Sequence, residues 1–366
     1  MVKGQTHILK QARCRDVTAW KISNLDESGA FFLFGKLRWG SHETMPCFHC
    51  GTVDSHYFRP DQFRYRCRHC CEHFSPTTGT VFQDHKIPFK KILQGCMAFI
   101  HAANGVSAHE LARHIDVQVK TALVFLGKLR EALFASRDRR KLRGVVQIDG
   151  GYFGGRPRSR RIRKRTPQQI QQHIEEKLKG DPGGKKFRSK INIENLARLK
   201  NRRVVMVLRE VSPAEGVGGV ATVIAVTKSE NAEEALALAL THVEEEALIM
   251  TDENAAYNGL TAAGFDHRTV VHSIEFSSWD GINDNQCESY FARLRRHAIG
   301  VSHRIDPKYL ADKAQEMAWR EDMRHKTEGE KLQHLIAAIA QTGMSKWWRG
   351  YHQGHHRPGE IVWLLH

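Results

Sequence analysis

The chain has 366 residues, 41% of them hydrophobic, which is enough to bury the cores of two or three ordinary domains. Its 56 Lys and Arg against 40 Asp and Glu give a formal net charge of +16, which favours a polyanionic partner such as nucleic acid. A basic surface kept for solubility is the alternative, but the charge is clustered. We find no apolar run of signal-peptide or membrane-spanning length, so we expect a cytoplasmic, nucleoid-associated protein with no membrane partner and with reduced cysteines.

Five segments follow one another in a coarse secondary-structure prediction. The first has short helical stretches, the second is rich in Cys, His, Gly and Thr, and the third contains amphipathic helices. The fourth alternates strand-length apolar runs with helices, which indicates an α/β fold, and the fifth is helical and basic. The predicted bounds are 1–42 for the lead-in, 43–84 for a zinc ribbon, 85–140 for a helix-turn-helix-like module, 144–305 for the α/β domain with a basic insertion at 156–203, and 306–366 for the C-terminal region.

Two Cys-x2-Cys motifs mark the second segment. Cys47 and Cys50 form the first motif, and Cys67 and Cys70 form the second. This pattern is typical of a four-coordinate structural Zn²⁺ site, because each motif brings two thiolates to one side of the ion. Four unrelated buried thiols are the alternative, and Cys71 could replace Cys70 as the fourth ligand. Four histidines are weaker candidates for a substitute zinc ligand, and we expect each of them on the surface: His49, His56, His69 and His73.

The ribbon and the helices behind it offer basic side chains to DNA. Alternating residues between the two Cys motifs predict a small hairpin, from which Arg64 and Arg66 would contact phosphates. Beyond it, Ser107 begins a short helix and a longer helix covers about 118–136, a spacing that fits a helix-turn-helix. Lys120 and Lys128 would then face DNA, although an ordinary helical hairpin without a DNA role fits the same pattern.

The insertion at 156–203 lacks apolar periodicity and is strongly basic. We interpret it as a segment between two strands that follows the DNA backbone. Its candidate DNA contacts are Arg158, Arg160, Arg161, Arg163, Lys164 and Arg165.

Three acids stand at positions where an α/β fold could bring them together. Asp149 and Asp252 each end a short apolar run, so both should lie at the rim of a sheet, where ligand sites form. The predicted order of elements is β, β, β, α, β, α, β, α, which is the layout of a ribonuclease-H-like fold. In that layout the helix after the last strand supplies a third carboxylate, which is Glu288 here.

Three converging carboxylates would suit metal-dependent phosphoryl transfer. Oxygen ligands select Mg²⁺ or Mn²⁺, and a pair of such ions can activate a hydroxyl and stabilise the leaving oxygen. Taken singly, each acid could be a helix cap or a surface charge, so the hypothesis depends on their convergence.

The motifs around these residues resemble those of the IS1595-type (ISXO2-like) insertion-sequence transposases, over roughly residues 25–325. The resemblance rests on the two Cys pairs, on FSPTTGTVF at 74–82, on QIDGGYFGG at 147–155, on TDENAAY at 251–257, on His272-Ser, and on NQCES at 285–289 with its trailing Arg-Leu-Arg-Arg.

The resemblance implies a catalytic triad of Asp149, Asp252 and Glu288, supported by a strand-end His at His272 and an Asn at Asn285. It also implies metal-dependent cleavage at terminal inverted repeats, strand transfer, and assembly as a homo-oligomer on double-stranded DNA. The trailing Arg295 and Arg296 would contact that DNA. Such proteins often carry a His two residues before the Asn, whereas this chain has Asn283 there.

Two other functional classes remain open from the sequence. A non-catalytic DNA-binding regulator derived from a transposase would bind DNA without cutting it. A ribonuclease-H-like nuclease would cut without needing inverted repeats and would not join ends.

Overall fold

The computed structural model describes residues 8–154, 201–214, 216–270 and 285–363. Residues 155–200 therefore lie outside the described part, with all six basic residues named for the insertion, and so do His272 and Asn283. Within the described part, no helix has both the length and the apolar character needed to cross a bilayer.

The lead-in folds into short helices that end in one full helix. Two 3-10 turns, Ile8–Lys10 and Ala12–Arg15, precede α1 (Ala19–Ser23) and α2 (Glu27–Trp39). Asp26 begins α2 by accepting the backbone N–H of Gly29 at 2.7 Å, as an N-cap residue should. The buried side of α2 faces the Cys-rich segment, so the lead-in and the ribbon share one core.

The Cys-rich segment folds into two small antiparallel sheets. Their strands are β1 (Met45–Pro46) with β2 (Val53–Asp54), and β3 (Tyr57–Arg59), β4 (Arg64–Arg66) and β5 (His73–Phe74). The β3–β4 pair is the hairpin predicted between the Cys motifs. Tyr65 on β4 is fully buried, with its ring centroid 5.1 Å from that of Phe31 on α2. The ribbon thus packs on α2 through aromatic side chains.

Three helices follow the ribbon: α3 (Phe89–His101), α4 (Ala108–His114) and α5 (Val119–Ala135). Ser107 accepts the N–H of Glu110 at 3.1 Å, so the predicted start of α4 is confirmed. Their apolar faces join the core of the ribbon and α2, together with α10 (Glu328–Gln341) from the C-terminal region.

A mixed five-stranded sheet forms the second half of the molecule. Its strands are β6 (Val145–Gly154), β7 (Arg202–Val211), β8 (Gly219–Thr227), β9 (Leu248–Thr251) and β10 (Asp266–Thr269), in the order β10-β9-β6-β7-β8. The strands β6, β7 and β8 form an antiparallel meander, and β9 and β10 add in parallel on the other side of β6. Residues Val204–Leu208 of the interior strand β7 are buried on both faces, which explains their unbroken apolar run.

Helices cover both faces of this sheet. On one face lie α6 (Ala232–His242) and α7 (Gly259–Ala262), and on the other lie α8 (Asn285–Arg296) and α9 (Leu310–Asp322). The elements predicted from the apolar runs are present in the predicted order. The basic insertion ends earlier than predicted: β7 begins at Arg202, because Arg202 and Arg203 pair with the end of β6 and so belong to the sheet.

The aromatic C-terminal tail, residues 343–363, packs against both halves. Trp348 is 7% exposed and lies against α5, whereas the backbone N–H of Trp363 donates to the carbonyl of Val226 on β8 at 2.7 Å. Between them, Arg203 and Glu360 form an ion pair at 2.6 Å. The tail is therefore part of the folded molecule.

Candidate functional site

The Cys motifs meet at one point. The ligand atoms of Cys47, Cys50, Cys67 and Cys70 all lie within 4.8 Å of one another. Two of the separations, Cys47 Sγ to Cys70 Sγ and Cys50 Sγ to Cys67 Sγ, are 3.7 and 3.6 Å. Sulfurs bound tetrahedrally to zinc at about 2.3 Å are separated by about 3.8 Å, so these four thiols fit a structural Zn²⁺ ion.

The backbone of the two knuckles explains why Cys70, and not Cys71, completes the set. Gly51 and Cys71 occupy the same place after their Cys-x2-Cys motifs, and both have positive φ values, 74° and 63°. The first residue of each motif donates its N–H to a carbonyl just past that turn. Cys71 therefore serves as the turn residue and is exposed, away from the cluster.

One of the histidines near the zinc site lies elsewhere than predicted. Three of the four, His49, His69 and His73, are exposed as expected. His56 is buried, so the expectation of a surface position is wrong for it. Its Nδ1 accepts the N–H of Arg68 at 3.4 Å, which leaves Nε2 to donate to the carbonyl of Met45 at 3.1 Å. The ring is buried because it connects β1 to the second knuckle.

The register of the large sheet places two of the predicted acids side by side. Ile148 on β6 pairs with Thr251 on the parallel strand β9, so the next residues, Asp149 and Asp252, occupy adjoining positions at the end of β9. Neighbouring strands are about 4.8 Å apart, which sets the scale of the separation between the two backbones. Both residues are half-buried.

Helix α8 lies across the face of β6 on which Asp149 stands. Residues Gln147, Asp149 and Gly151 point to the same side of the strand. Gln147 Oε1 accepts the N–H of Gln286 at 2.8 Å, and a Cβ on Gly151 would lie 2.4 Å from the ring of Phe291. Asp149 is thus situated between two contacts with α8.

Glu288 is in the first turn of this helix and is exposed. The side chain of Gln286 turns towards β8, where its Oε1 accepts the N–H of Gly219 at 2.9 Å. Two residues further along a helix the direction changes by about 200°, so Glu288 is on the opposite flank. Glu288 therefore lies on the flank of α8 that faces away from β8.

The three acids are less tightly grouped than the cysteines. Among the residues that the structure describes, the four cysteines form the set whose ligand atoms all lie within 4.8 Å, and the oxygens of Asp149, Asp252 and Glu288 do not meet that limit together. Carboxylates repel one another, and two cations about 3.5–4 Å apart would need a wider site than one zinc ion.

A fourth acid near the same edge was not predicted. Glu230 precedes α6, and its Oε1 accepts the hydroxyl of the fully buried Tyr257 at 2.8 Å. Burial raises the pKa of the Glu230 carboxyl, the hydrogen bond from Tyr257 opposes the rise, and the charge of Asp252 adds to it. Burial, Glu230, Asp149 and Asp252 together raise the pKa of Tyr257 well above its usual range. The phenol thus lies within electrostatic reach of all three acids, a long-range arrangement with no local sequence signal.

The basic residues predicted to contact DNA have different surroundings. Arg64, Lys120, Arg295 and Arg296 are exposed, and Arg66 is half-buried. Lys128 is half-buried, with its ammonium 5.6 Å from the ring centroid of Phe82, and burial lowers its pKa. The predicted supporting residue Asn285 is the first residue of α8 and is exposed.

Comparison with known proteins assigns a family to the part of the chain that forms the five-stranded sheet. Residues 141–322 match the family model of the ISXO2-like transposase domain. No curated protein and no solved structure gives a match. The matched segment runs from just before β6 to the end of α9 and so includes Asp149, Asp252 and Glu288. The chain therefore contains a transposase domain of the IS1595 (ISXO2-like) family.

Proposed function

We propose that the protein is a DDE-type DNA transposase, which binds the terminal inverted repeats of its insertion sequence and catalyses metal-dependent cleavage and strand transfer. The observation that carries this proposal is the register of β6 and β9, which puts Asp149 and Asp252 at adjoining positions beside a helix that carries Glu288. The ends of neighbouring parallel strands are where sheets of this kind form ligand sites.

We further propose that the second half has a ribonuclease-H-like fold. Numbered from β6 as the first strand, the sheet has the order 5-4-1-2-3, and its second strand is antiparallel to both neighbours. This order supports the fold expected from the sequence, because it brings the ends of the first and fourth strands together beneath the last helix of the series.

The chemistry of the donors favours a hard divalent cation at this edge. Carboxylate oxygens, with no Cys or His among the proposed ligands, suit Mg²⁺ or Mn²⁺. When bound, such ions would activate the attacking hydroxyl and stabilise the leaving oxygen. The chain's own contribution is to hold the carboxylates: Asp252 Oδ1 accepts the N–H of Asn254 at 3.1 Å, and Asp149 Oδ1 accepts the N–H of Gly150 at 2.6 Å.

The N-terminal half is proposed to hold the DNA ends. The net charge of +16 supports a nucleic-acid partner, and exposed arginine and lysine side chains are present on the ribbon and at the start of α5. In this proposal α4 and α5 form the helix-turn-helix, and Arg64 and Lys120 contact DNA. Arg295 and Arg296, at the far end of α8, would contact DNA that enters the acidic edge. Both ends would be held by a homo-oligomer that assembles on DNA.

Cleavage and strand-transfer assays with three single variants test the proposal. Asp149→Asn, Asp252→Asn and Glu288→Gln should each abolish both reactions on a plasmid that carries the inverted repeats flanking the gene, in Mg²⁺ or Mn²⁺. End binding, measured by mobility shift, should persist. Glu253→Gln is the matched control, because Glu253 is exposed directly beside Asp252 and should leave activity unchanged.

The alternatives give different results in the same assays. Transfer at the wild-type rate by any of the three variants would contradict the triad. Wild-type protein that binds the ends but never cuts them, even in Mn²⁺, would be a regulator. Cutting that needs no inverted repeats and joins no ends would indicate a nuclease.

A further inference from the structure

Glu230 binds the loop that carries Asp252 at two points. Its carboxylate accepts the Tyr257 hydroxyl at 2.8 Å and also a hydrogen bond from the side chain of Asn254. Asn254 in turn connects to both sides of the loop, since its N–H donates to Asp252 Oδ1 at 3.1 Å and its Oδ1 accepts the N–H of Ala256 at 3.0 Å. One half-buried side chain thus holds the loop from Asp252 to Tyr257.

The same carboxylate rests on the strand that carries Asp149. A Cβ built on Gly150, the residue after Asp149, would lie 2.5 Å from Glu230 Cδ and 2.7 Å from both carboxylate oxygens. The φ value of Gly150 is outside the left-handed region, so the lack of space, and not the backbone conformation, requires glycine here. Glu230 therefore touches β6 on one side and the Asp252 loop on the other.

We propose that Glu230 is a positioning residue that sets the distance between Asp149 and Asp252, and thereby the affinity of their edge for a divalent cation. This inference rests on the proposed function. Because β9 ends at Thr251, the pairing of β6 with β9 does not extend to Asp252. Groups that orient metal ligands in this way typically change metal affinity or activity about 10- to 100-fold when they are removed.

Mn²⁺ titration of the full-length, zinc-loaded protein, followed by electron paramagnetic resonance of the free ion, tests the inference without relying on activity. The binding that Asp149→Asn removes defines the site. Glu230→Ala should weaken that binding about 10-fold or more. Glu230→Gln keeps an oxygen that accepts from Tyr257, so it should restore affinity to within about threefold of wild type. Glu233→Ala is the matched control, because Glu233 is exposed on α6 close by and should have no effect.

Substitution of Gly150 provides a second test, which in the wild-type background does not require the Glu230→Ala protein to be stable. In wild-type protein, Gly150→Ala would displace the Glu230 carboxylate and should weaken Mn²⁺ binding as much as Glu230→Ala does. In the Glu230→Ala background the space is free, so the same change should add little. Tyr257→Phe keeps the buried ring, removes one hydrogen bond to Glu230, and should weaken binding about fivefold.

The possible failures are distinguishable. If Asp149→Asn leaves Mn²⁺ binding unchanged, the proposed function fails and the inference fails with it. If Asp149-dependent binding exists and Glu230→Ala leaves it at the wild-type affinity, only the inference is overturned. A loss in Glu230→Gln equal to that in Glu230→Ala would also overturn the positioning role, because the charge and not the hydrogen bonds would then determine the affinity.

Discussion

The C-terminal tail lies outside the matched transposase domain, yet its packing predicts a large contribution to stability. Trp348 lies against α5 and is stacked between Tyr309 and Tyr351, with ring centroids 5.8 and 5.1 Å away. A Cβ on Gly127 of α5 would lie 2.0 Å from its indole ring. Removing the ring by Trp348→Ala would therefore open a cavity between two parts of the molecule.

The expected loss follows from the area that the ring buries. A tryptophan at 7% exposure buries about 150–250 Å², which at about 25 cal/mol per Å² corresponds to roughly 4–6 kcal/mol. Its buried indole N–H has no hydrogen-bond partner among the described residues. The cost of burying that group unpaired lowers the expected loss of unfolding free energy in Trp348→Ala to about 3–5 kcal/mol. Trp348→Phe keeps an aromatic ring and removes the unpaired N–H, so it should cost less, about 1.5 kcal/mol.

Urea unfolding followed by far-ultraviolet circular dichroism measures these differences without depending on tryptophan fluorescence. The matched control is Trp20→Ala, because Trp20 is 74% exposed and its loss should change the free energy of unfolding by about 0.5 kcal/mol or less. In a domain of this size the 3–5 kcal/mol loss should lower the melting temperature by roughly 10 °C. If Trp348→Ala and Trp20→Ala cost the same, the tail is not part of the core and the reasoning is wrong.

Three further predictions concern the acid stability, the zinc site and the DNA-binding charge. Burial lowers the pKa of His297 to about 4, so between about pH 4 and 6.5 the unfolded chain binds one more proton than the folded chain. The free energy of unfolding should therefore fall by about 3 kcal/mol as the pH drops through that range. Thermal melting of His297→Gln at several pH values should lack this contribution, and a pH profile like that of the wild type would contradict the prediction. Cys67→Ser, or a strong chelator, should release zinc in a colorimetric assay and unfold the ribbon, whereas Cys71→Ser should retain the metal. Arg64→Ala should reduce the log–log salt slope of DNA binding by about 0.9, the loss of one phosphate contact, and an identical slope would exclude that contact.

Features of the fold with a local sequence signal were predictable. Spacing alone located the zinc ligands, because each Cys-x2-Cys turn is a self-contained backbone unit. The choice between Cys70 and Cys71 needed the positive φ at Cys71, which no spacing rule reveals. Unbroken apolar runs predicted β6 to β9, because strands covered by helices on both faces lack polar alternation.

Features that depend on distant contacts were not predictable. Glu230 is far along the chain from Gly150, and no residue pattern indicates that a glutamate fills the space above that glycine. The packing of the tail was equally unpredictable, because Ser345 and the backbone of Lys346 bind Glu131, a buried acid one turn before the end of α5. Both cases involve a polar side chain that is stabilised by partners from another segment.

Buried charges connect the two halves of the molecule and bear on how DNA would reach the acidic edge. Glu316 on α9, which packs on the sheet, binds Arg130 of α5 at 2.6 Å and Arg320 at 2.9 Å, and Arg320 also donates to the carbonyl of Phe99 on α3 at 2.6 Å. Burial raises the pKa of Glu316, but the two arginines outweigh that effect and hold it below its usual range. Separating the halves would leave these charges without partners, at a cost of about 3–5 kcal/mol for a broken buried pair. DNA held by the ribbon and the helices α3 to α5 would therefore be presented to Asp149 and Asp252 by a stiff connection. This stiff connection between the two halves would then set the position of the cut relative to the bound repeat.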